Sequence, residues 1–237
     1  MGLAQHLLVF GASGAIGGEV VRSAAARGWR VTGVARTLPG SLSPEIPFLA
    51  IDPLGSDFNA SQLAPPVPYT SVCWAQGSNV NDNAYNLDLV VHRQIYEANC
   101  TYILCTLQAL LHGGFLAASS RLCVISSVWQ NLARQSKLSY CMSKAALQGL
   151  LLSAAADLAA DGHLINAVLP GAIDTPMTHR NLSAEQIDRL SAATKHHRLV
   201  SLRDVASLVC YLCSPENTGI TGQFIAADLG FSHVRIV

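Results

Sequence analysis

The chain has 237 residues, of which 50% are hydrophobic and 13% charged. That balance suits a buried core and excludes a disordered or low-complexity chain, and the length fits one large α/β domain better than two small ones. The formal net charge is zero and no basic run exceeds residues 195–198, which argues against a nucleic-acid partner.

The seven cysteines fall mostly inside apolar segments. Only Cys210 and Cys213 have C-x-x-C spacing, with neither a second such pair nor nearby histidines, so they read as core residues in a reducing compartment and no metal site is expected. No apolar run reaches membrane-spanning length, residues 150–160 being alanine-rich and interrupted by Ser153 and Asp157, and the N-terminus enters a strand without a basic segment or cleavage site. A soluble, cytoplasmic protein with no membrane partner is expected.

In chain order, residues 6–10 form a short apolar strand, followed at once by Gly11-Ala-Ser-Gly14-Ala-Ile-Gly17-Gly18 and a helical segment over 19–26 that Gly28 stops. Strand, glycine turn and helix together make a dinucleotide site, because backbone N–H groups and a helix N-terminus can face a pyrophosphate that side chains would obstruct. Gly11, Ser13, Gly14, Ile16 and Gly17 are the expected contacts. Residues 30–35 are a second strand. Its end meets the adenosine ribose, where an acid would accept from a free 2′-hydroxyl. Here Ala35 is neutral and Arg36 cationic, which predicts NADP(H) over NAD(H). Residues 48–52 are a third strand, with Asp52 placed for the adenine amino group. A proline-rich connector leads to a fourth over 71–75, where Ala75, Gln76 and Gly77 would pass close to a ribose.

Residues 87–111 read as one or two helices holding Asn99 in apolar company, bonded either to backbone for structural reasons or into the site. The fifth strand, 122–127, ends on Ser127. Tyr140 and Lys144 are four apart on the next helix and so share one face. A nearby ammonium would lower the phenol's pKa towards the range useful for proton transfer, and Ser127 could hydrogen-bond a reacting carbonyl oxygen. Gly162 stops that helix, and residues 163–169 are a sixth strand closed by Pro170-Gly171. A flap over 176–200 comes next, containing an amphipathic piece with Ser183 as N-cap and Gln186 at the capping-box position. Residues 202–212 are a helix and 222–227 the last strand. The alternation predicts an α/β fold, a doubly wound parallel sheet of about seven strands with helices on both faces and ligands at the carboxyl ends of its strands.

The two signatures together resemble the short-chain dehydrogenase/reductase family over nearly the whole chain. The family's TG-x-x-x-G-x-G is similar to Phe10–Gly17, with Phe10 for its threonine and Ala15 for its middle glycine. N-N-A-G survives only as Trp74-Ala-Gln-Gly77, which removes a structural hydrogen bond that something else must replace. Asn99, Ser127 (thirteen residues before the tyrosine), Tyr140 and Lys144 match the catalytic tetrad. Pro170-Gly171-Ala-Ile173-Asp-Thr175 matches the segment that orients the nicotinamide, and Asp228-Leu-Gly230 is similar to D-G-G with a leucine intruding. The resemblance implies a Rossmann-like NADP(H)-binding domain over residues 1–237. It also implies a homodimer or homotetramer, and interconversion of a carbonyl and an alcohol by hydride transfer with Tyr140 as acid/base. Tyr140 and Lys144 would also meet the nicotinamide ribose, and Asn99 would hold a proton-relaying water.

Trp129, Gln130, Met177 and His179 are candidate substrate contacts, for a polar, sugar-like or acyl-derived carbonyl. The cluster at residues 195–198 either recognises an anion or forms a solvated hinge. A non-catalytic NADP(H) sensor of the same fold is the alternative, though it would need no proton donor. A sugar-nucleotide epimerase would want a longer C-terminal region.

Overall fold

The computed structural model describes residues 4–37 and 45–234. Strands β1 (His6–Phe10), β2 (Arg30–Ala35), β3 (Phe48–Ala50), β4 (Tyr69–Trp74), β5 (Leu116–Ile125), β6 (Leu164–Pro170) and β7 (Phe224–Ala227) form one sheet in the order β3-β2-β1-β4-β5-β6-β7. Every neighbouring pair is parallel. Helices α1 (Ala15–Ala25), α2 (Leu89–Tyr96), α3 (Tyr102–His112), α4 (Leu138–Asp157), α5 (Pro176–Asn181), α6 (Ala184–Ala192) and α7 (Leu202–Leu212) lie between strands. Chain order reverses between β1 and β4, which opens a crevice beyond their carboxyl ends.

The strands are apolar on both sides because both faces are covered, as parallel sheets require. Successive side chains alternate between two cores. Leu8, Phe10, Val72, Trp74, Leu122 and Val124 pack with α3 and α4. Leu7, Val9, Cys73, Cys123 and Ile125 pack with Val20 and Val21 of α1, with Val205, Val209 and Cys210 of α7, and with Cys213 just past its end.

Several boundaries differ from expectation, and three bear on the site. β3 ends at Ala50, and Asp52 instead takes a turn, its Oδ1 accepting from Leu54 N at 3.2 Å. β5 starts six residues early, at Leu116, in a part whose pairing with β4 shifts register between Tyr69 and Ser71. The long helical segment is broken by one π turn, Glu97–Thr101, between α2 and α3.

Phe10 and Trp74, the two large residues that stand where the family pattern has threonine and asparagine, touch each other. Their rings stack at 5.8 Å and 9°, and Tyr102 meets Phe10 edge-on at 5.8 Å. Trp74 Nε1 donates to Thr106 Oγ1 at 2.8 Å, and that hydroxyl donates to Tyr102 O at 2.8 Å. Aromatic stacking and one buried side-chain bond thus link β1, β4 and α3. Trp74→Ala is expected to cost about 3–5 kcal/mol, and Trp74→Phe, which keeps a stacked ring and drops the bond, roughly 1–3 kcal/mol. Urea denaturation checks both: equal losses would show that the stacked ring contributes little beyond the indole N–H, and no loss in Trp74→Phe would show that the N–H contributes little.

Candidate active site

The glycine turn leaves β1 at the crevice. Gly11 has φ +74°, and a Cβ there would lie 2.6 Å from Gln76 N, so β1 and β4 can meet this closely only through a bare backbone. A Cβ on Gly17 would lie 2.2 Å from Gly11 O. Gly14 caps α1 without a side-chain bond, leaving the helix's first N–H groups to whatever sits beyond the turn. Ser13 is exposed beside it, and Ile16 packs against the α1–α7 core. Gln76 sits across the crevice, and both polar atoms of its amide are buried without a partner among the described residues. A bare cradle, uncapped N–H groups and an orphaned amide suit a large polar ligand with phosphate and hydroxyl groups.

Arg36 and Asp52 are both exposed at the carboxyl edge of the sheet. Both act on the buried Tyr102 phenol, whose pKa burial raises, Asp52 raises further and Arg36 lowers. Ala75 continues the β1 pairing through its N–H to Phe10 O at 2.9 Å.

The tetrad residues converge from three segments. Asn99 lies in the π turn and is 1% exposed. Its Oδ1 accepts from Ser78 N at 2.7 Å, and its Nδ2 donates to Ser78 O at 3.0 Å and to Ser143 Oγ at 2.8 Å. Gly77 fits against it, since a Cβ would stand 3.0 Å from Asn99 Oδ1 and 3.7 Å from Lys144 Nζ. Lys144 is 4% exposed, donates to Ile125 O at 2.9 Å and holds its Nζ 5.8 Å from the Tyr140 ring centroid. Ser127, just past β5, accepts from Trp129 N at 3.3 Å and hydrogen-bonds the Tyr140 phenol.

The electrostatics differ from expectation. Burial raises the Tyr140 pKa, and the bond to Ser127 offsets only part of that. Burial also lowers Lys144 to about 8, against a smaller raising effect from Cys100. Lys144 is not among the groups that shift the phenol; its amine donates to Ile125 O, with the Tyr140 ring centroid 5.8 Å away.

On the other flank, Gly171 N donates to Ala227 O at 3.1 Å, just past Pro170. Ile173 bridges to Val200. The Thr175 hydroxyl caps α5, accepting from Thr178 N at 3.2 Å. Of the substrate candidates, Trp129 lines a cavity of about 20 Å3 with Ala172, Leu190, Thr194, Leu229 and Phe231. Gln130 does not: it is 6% exposed and turned inward, its Oε1 accepting from Ser126 Oγ at 2.6 Å. His179 is exposed and bound to Asp174 at 2.7 Å. Met177 lies in α5, and its side chain falls outside the described part. Arg198 pairs with Asp204 at 2.6 Å and holds that carboxyl down at about 2.

Sequence reasoning missed several neighbours. Asp82 is 5% exposed and its Oδ1 accepts from Ser139 N at 3.1 Å, anchoring the start of α4 one residue before Tyr140. Nothing local marks a pair 57 residues apart. Leu229 sits at φ +58°, which costs a leucine about 1–3 kcal/mol. Its signal was legible, since it occupies the glycine position of the D-G-G pattern.

The profile of the family described as enoyl-(acyl carrier protein) reductase matches residues 70–232. The 3-oxoacyl-[acyl-carrier-protein] reductase FabG of Vibrio cholerae is 29% identical over 94% of this chain and 95% of its own. The cis-4-hydroxycyclohexanecarboxylate dehydrogenase of Sinomonas cyclohexanicum is 31% identical over 63% of this chain and 60% of its own. Among solved structures, ligand-free aldohexose dehydrogenase of Thermoplasma acidophilum superposes with a TM-score of 0.86 at 21% identity, covering 99% of this chain and 96% of that one. ElxO with NADP bound gives 0.83 at 20%, covering 97% and 99%. With its motifs in order on a seven-stranded parallel sheet and a profile match across more than half its length, the chain belongs to the short-chain dehydrogenase/reductase family of oxidoreductases.

Proposed function

We propose that this protein is an NADP(H)-dependent oxidoreductase that reduces a polar, sugar-like or acyl-derived carbonyl, with Tyr140 as general acid. The observation that carries the reading is the convergence of Ser127, Tyr140 and Lys144 beside Gly77, at the mouth of the crevice that begins with the Gly11 turn. NADPH would supply the hydride. Gly11, Ser13, Gly14, Ile16 and Gly17 would hold its pyrophosphate, Arg36 its 2′-phosphate, and Asp52 its adenine. Ala75, Gln76 and Gly77 would meet a ribose, with Tyr140 and Lys144 on the nicotinamide ribose. Pro170, Gly171, Ile173 and Thr175 would flank the carboxamide. The relatives' names support the class, since they include a 3-oxoacyl reductase, an aldohexose dehydrogenase and a structure with NADP bound.

The residues' roles follow from their protonation. A phenol whose pKa burial raises stays protonated at neutral pH, so Tyr140 carries the proton that a reduced carbonyl oxygen needs. Ser127 bonds both that phenol and, through its second lone pair or its proton, the substrate oxygen. Lys144, lowered to about 8, sits near neutrality and can return a proton to the tyrosine side of the site.

Tyr140→Phe is expected to lower kcat by about a hundredfold or more while NADPH affinity changes little, read by carbonyl-dependent NADPH oxidation and by equilibrium binding. Wild-type turnover in that variant would overturn the mechanism. Arg36→Asp should shift preference from NADP(H) towards NAD(H), and an unchanged ratio of kcat/KM for the two cofactors would remove Arg36 from the site. Lys144 is charged below about 8 and neutral above it, so reduction should decline as pH rises through that value. Lys144→Arg, charged throughout, should lose that limb. A side-chain NMR titration of Lys144 reads the same group directly, and a midpoint left near 10 would contradict the burial effect.

A further inference from the structure

The turn after β7 holds a leucine where its backbone favours glycine, and its hydrogen bonds give no reason for one. The Asp228 carboxylate accepts from Gly230 N at 2.9 Å and Ser232 N at 2.8 Å, bonds that form whatever side chain stands between. Leu229 nonetheless sits at φ +58°. Strain of this kind persists where the side chain itself has a use. The Leu229 side chain lines the cavity of about 20 Å3, between Trp129, Leu190 and Phe231.

Two independent features bear on the same cavity. Thr194, which also lines it, is 7% exposed, and its Oγ1 has no partner among the described residues. A buried hydroxyl left unbonded is a cost that a ligand atom would remove. Trp129 is held edge-on by Phe231 at 6.0 Å, and its backbone N–H donates to Ser127 Oγ, so the wall begins two residues from the reacting end. The charged side chains at the rim are engaged already: Arg198 pairs with Asp204, and Asp228 bonds its own turn. The remaining walls are apolar, and the space suits a group about the size of a methyl or a water.

The geometry points to a subsite for a short, uncharged and mainly apolar arm of the carbonyl substrate, with Thr194 available to one hydrogen-bonding atom and Leu229 as the stop at its end. This rests on the proposed reduction at Ser127 and Tyr140. It narrows the substrate to ketones with one short arm and sets aside polyhydroxylated sugars and long acyl chains.

The test is NADPH oxidation with N-acetylcysteamine thioesters from β-ketobutanoyl to β-ketodecanoyl, alongside an aldohexose set. The wild type should lose about tenfold or more in kcat/KM between the butanoyl and octanoyl members. Leu229→Gly should flatten that profile to within about threefold by gaining on the longer members. A leucine with only a structural role would lower all members in parallel, which would overturn the assignment, as would a wild type equally fast on octanoyl or aldohexose substrates. Thr194→Val should lose about tenfold on a β-ketobutanoyl analogue with a terminal hydroxyl and little on the plain one. Equal effects on the two remove Thr194 from the subsite. If the wild type reduces no member, fluorescence decides. Quenching by the β-ketobutanoyl thioester that is absent in Trp129→Phe keeps the subsite and sinks the catalytic reading, whereas no quenching sinks the subsite.

Discussion

Asn99 makes three side-chain hydrogen bonds, all to groups outside its own helical segment, and the arrangement of the site depends on them. A buried amide must be satisfied, and here Ser78 N, Ser78 O and Ser143 Oγ do it. The first two pin the loop after β4. The third continues, because Ser143 Oγ donates to Tyr140 O at 2.8 Å, tying the clamp to the backbone of the phenol's own residue. The π turn makes this possible. One extra residue rotates the downstream helix by about 100° relative to a regular one, so Asn99 can face the crevice while α2 and α3 keep their apolar faces on the core. Gly77 then has to be bare, since the space a Cβ would need belongs to Asn99 Oδ1 and lies close to Lys144 Nζ.

A second anchor fixes where α4 begins. Ser139 Oγ donates to the Asp82 carboxylate, which can only accept, so the same hydroxyl accepts in turn from His92 Nδ1 at 2.9 Å. Serine, histidine and aspartate suggest a hydrolytic triad by composition, but the order is wrong: the serine sits between the other two, so the acid cannot orient the histidine or stabilise its imidazolium while the histidine takes the serine's proton. The set instead ties α2, the 78–86 loop and the first turn of α4 together, one residue before Tyr140. Lys137, 4% exposed, adds to the same seam by donating to Asn79 Oδ1 at 2.8 Å.

How much of this was legible depends on the range of the interaction. Local chemistry read well. The capping box of Ser183 and Gln186, the limits of α7 at Leu202 and Leu212, and the strand that ends in the glycine turn are set by neighbours a few residues apart. That the sheet is parallel, with about seven strands, followed from the alternation of strand and helix. What sequence did not show is long-range or conformational. The Trp74–Thr106 bond, the Asp82 anchor and the Ile125 carbonyl that takes the Lys144 amine join residues 19 to 57 positions apart. Gln130 illustrates the limit, as its position near Ser127 was visible but its inward rotamer towards Ser126 was not.

The missed electrostatics have one cause. Sequence spacing puts Lys144 one turn from Tyr140 and invites a pairwise argument in which a cation lowers a phenol. Lys144, however, is buried and Tyr140 half-buried, and the loss of water acts on each separately, raising the tyrosine and lowering the lysine to about 8. The two shifts run in the same chemical sense: each disfavours the charged form, so the pair is biased towards a neutral phenol beside an amine that readily gives up its proton. A phenolate is what burial opposes, so in the unliganded protein the tyrosine oxygen keeps its proton.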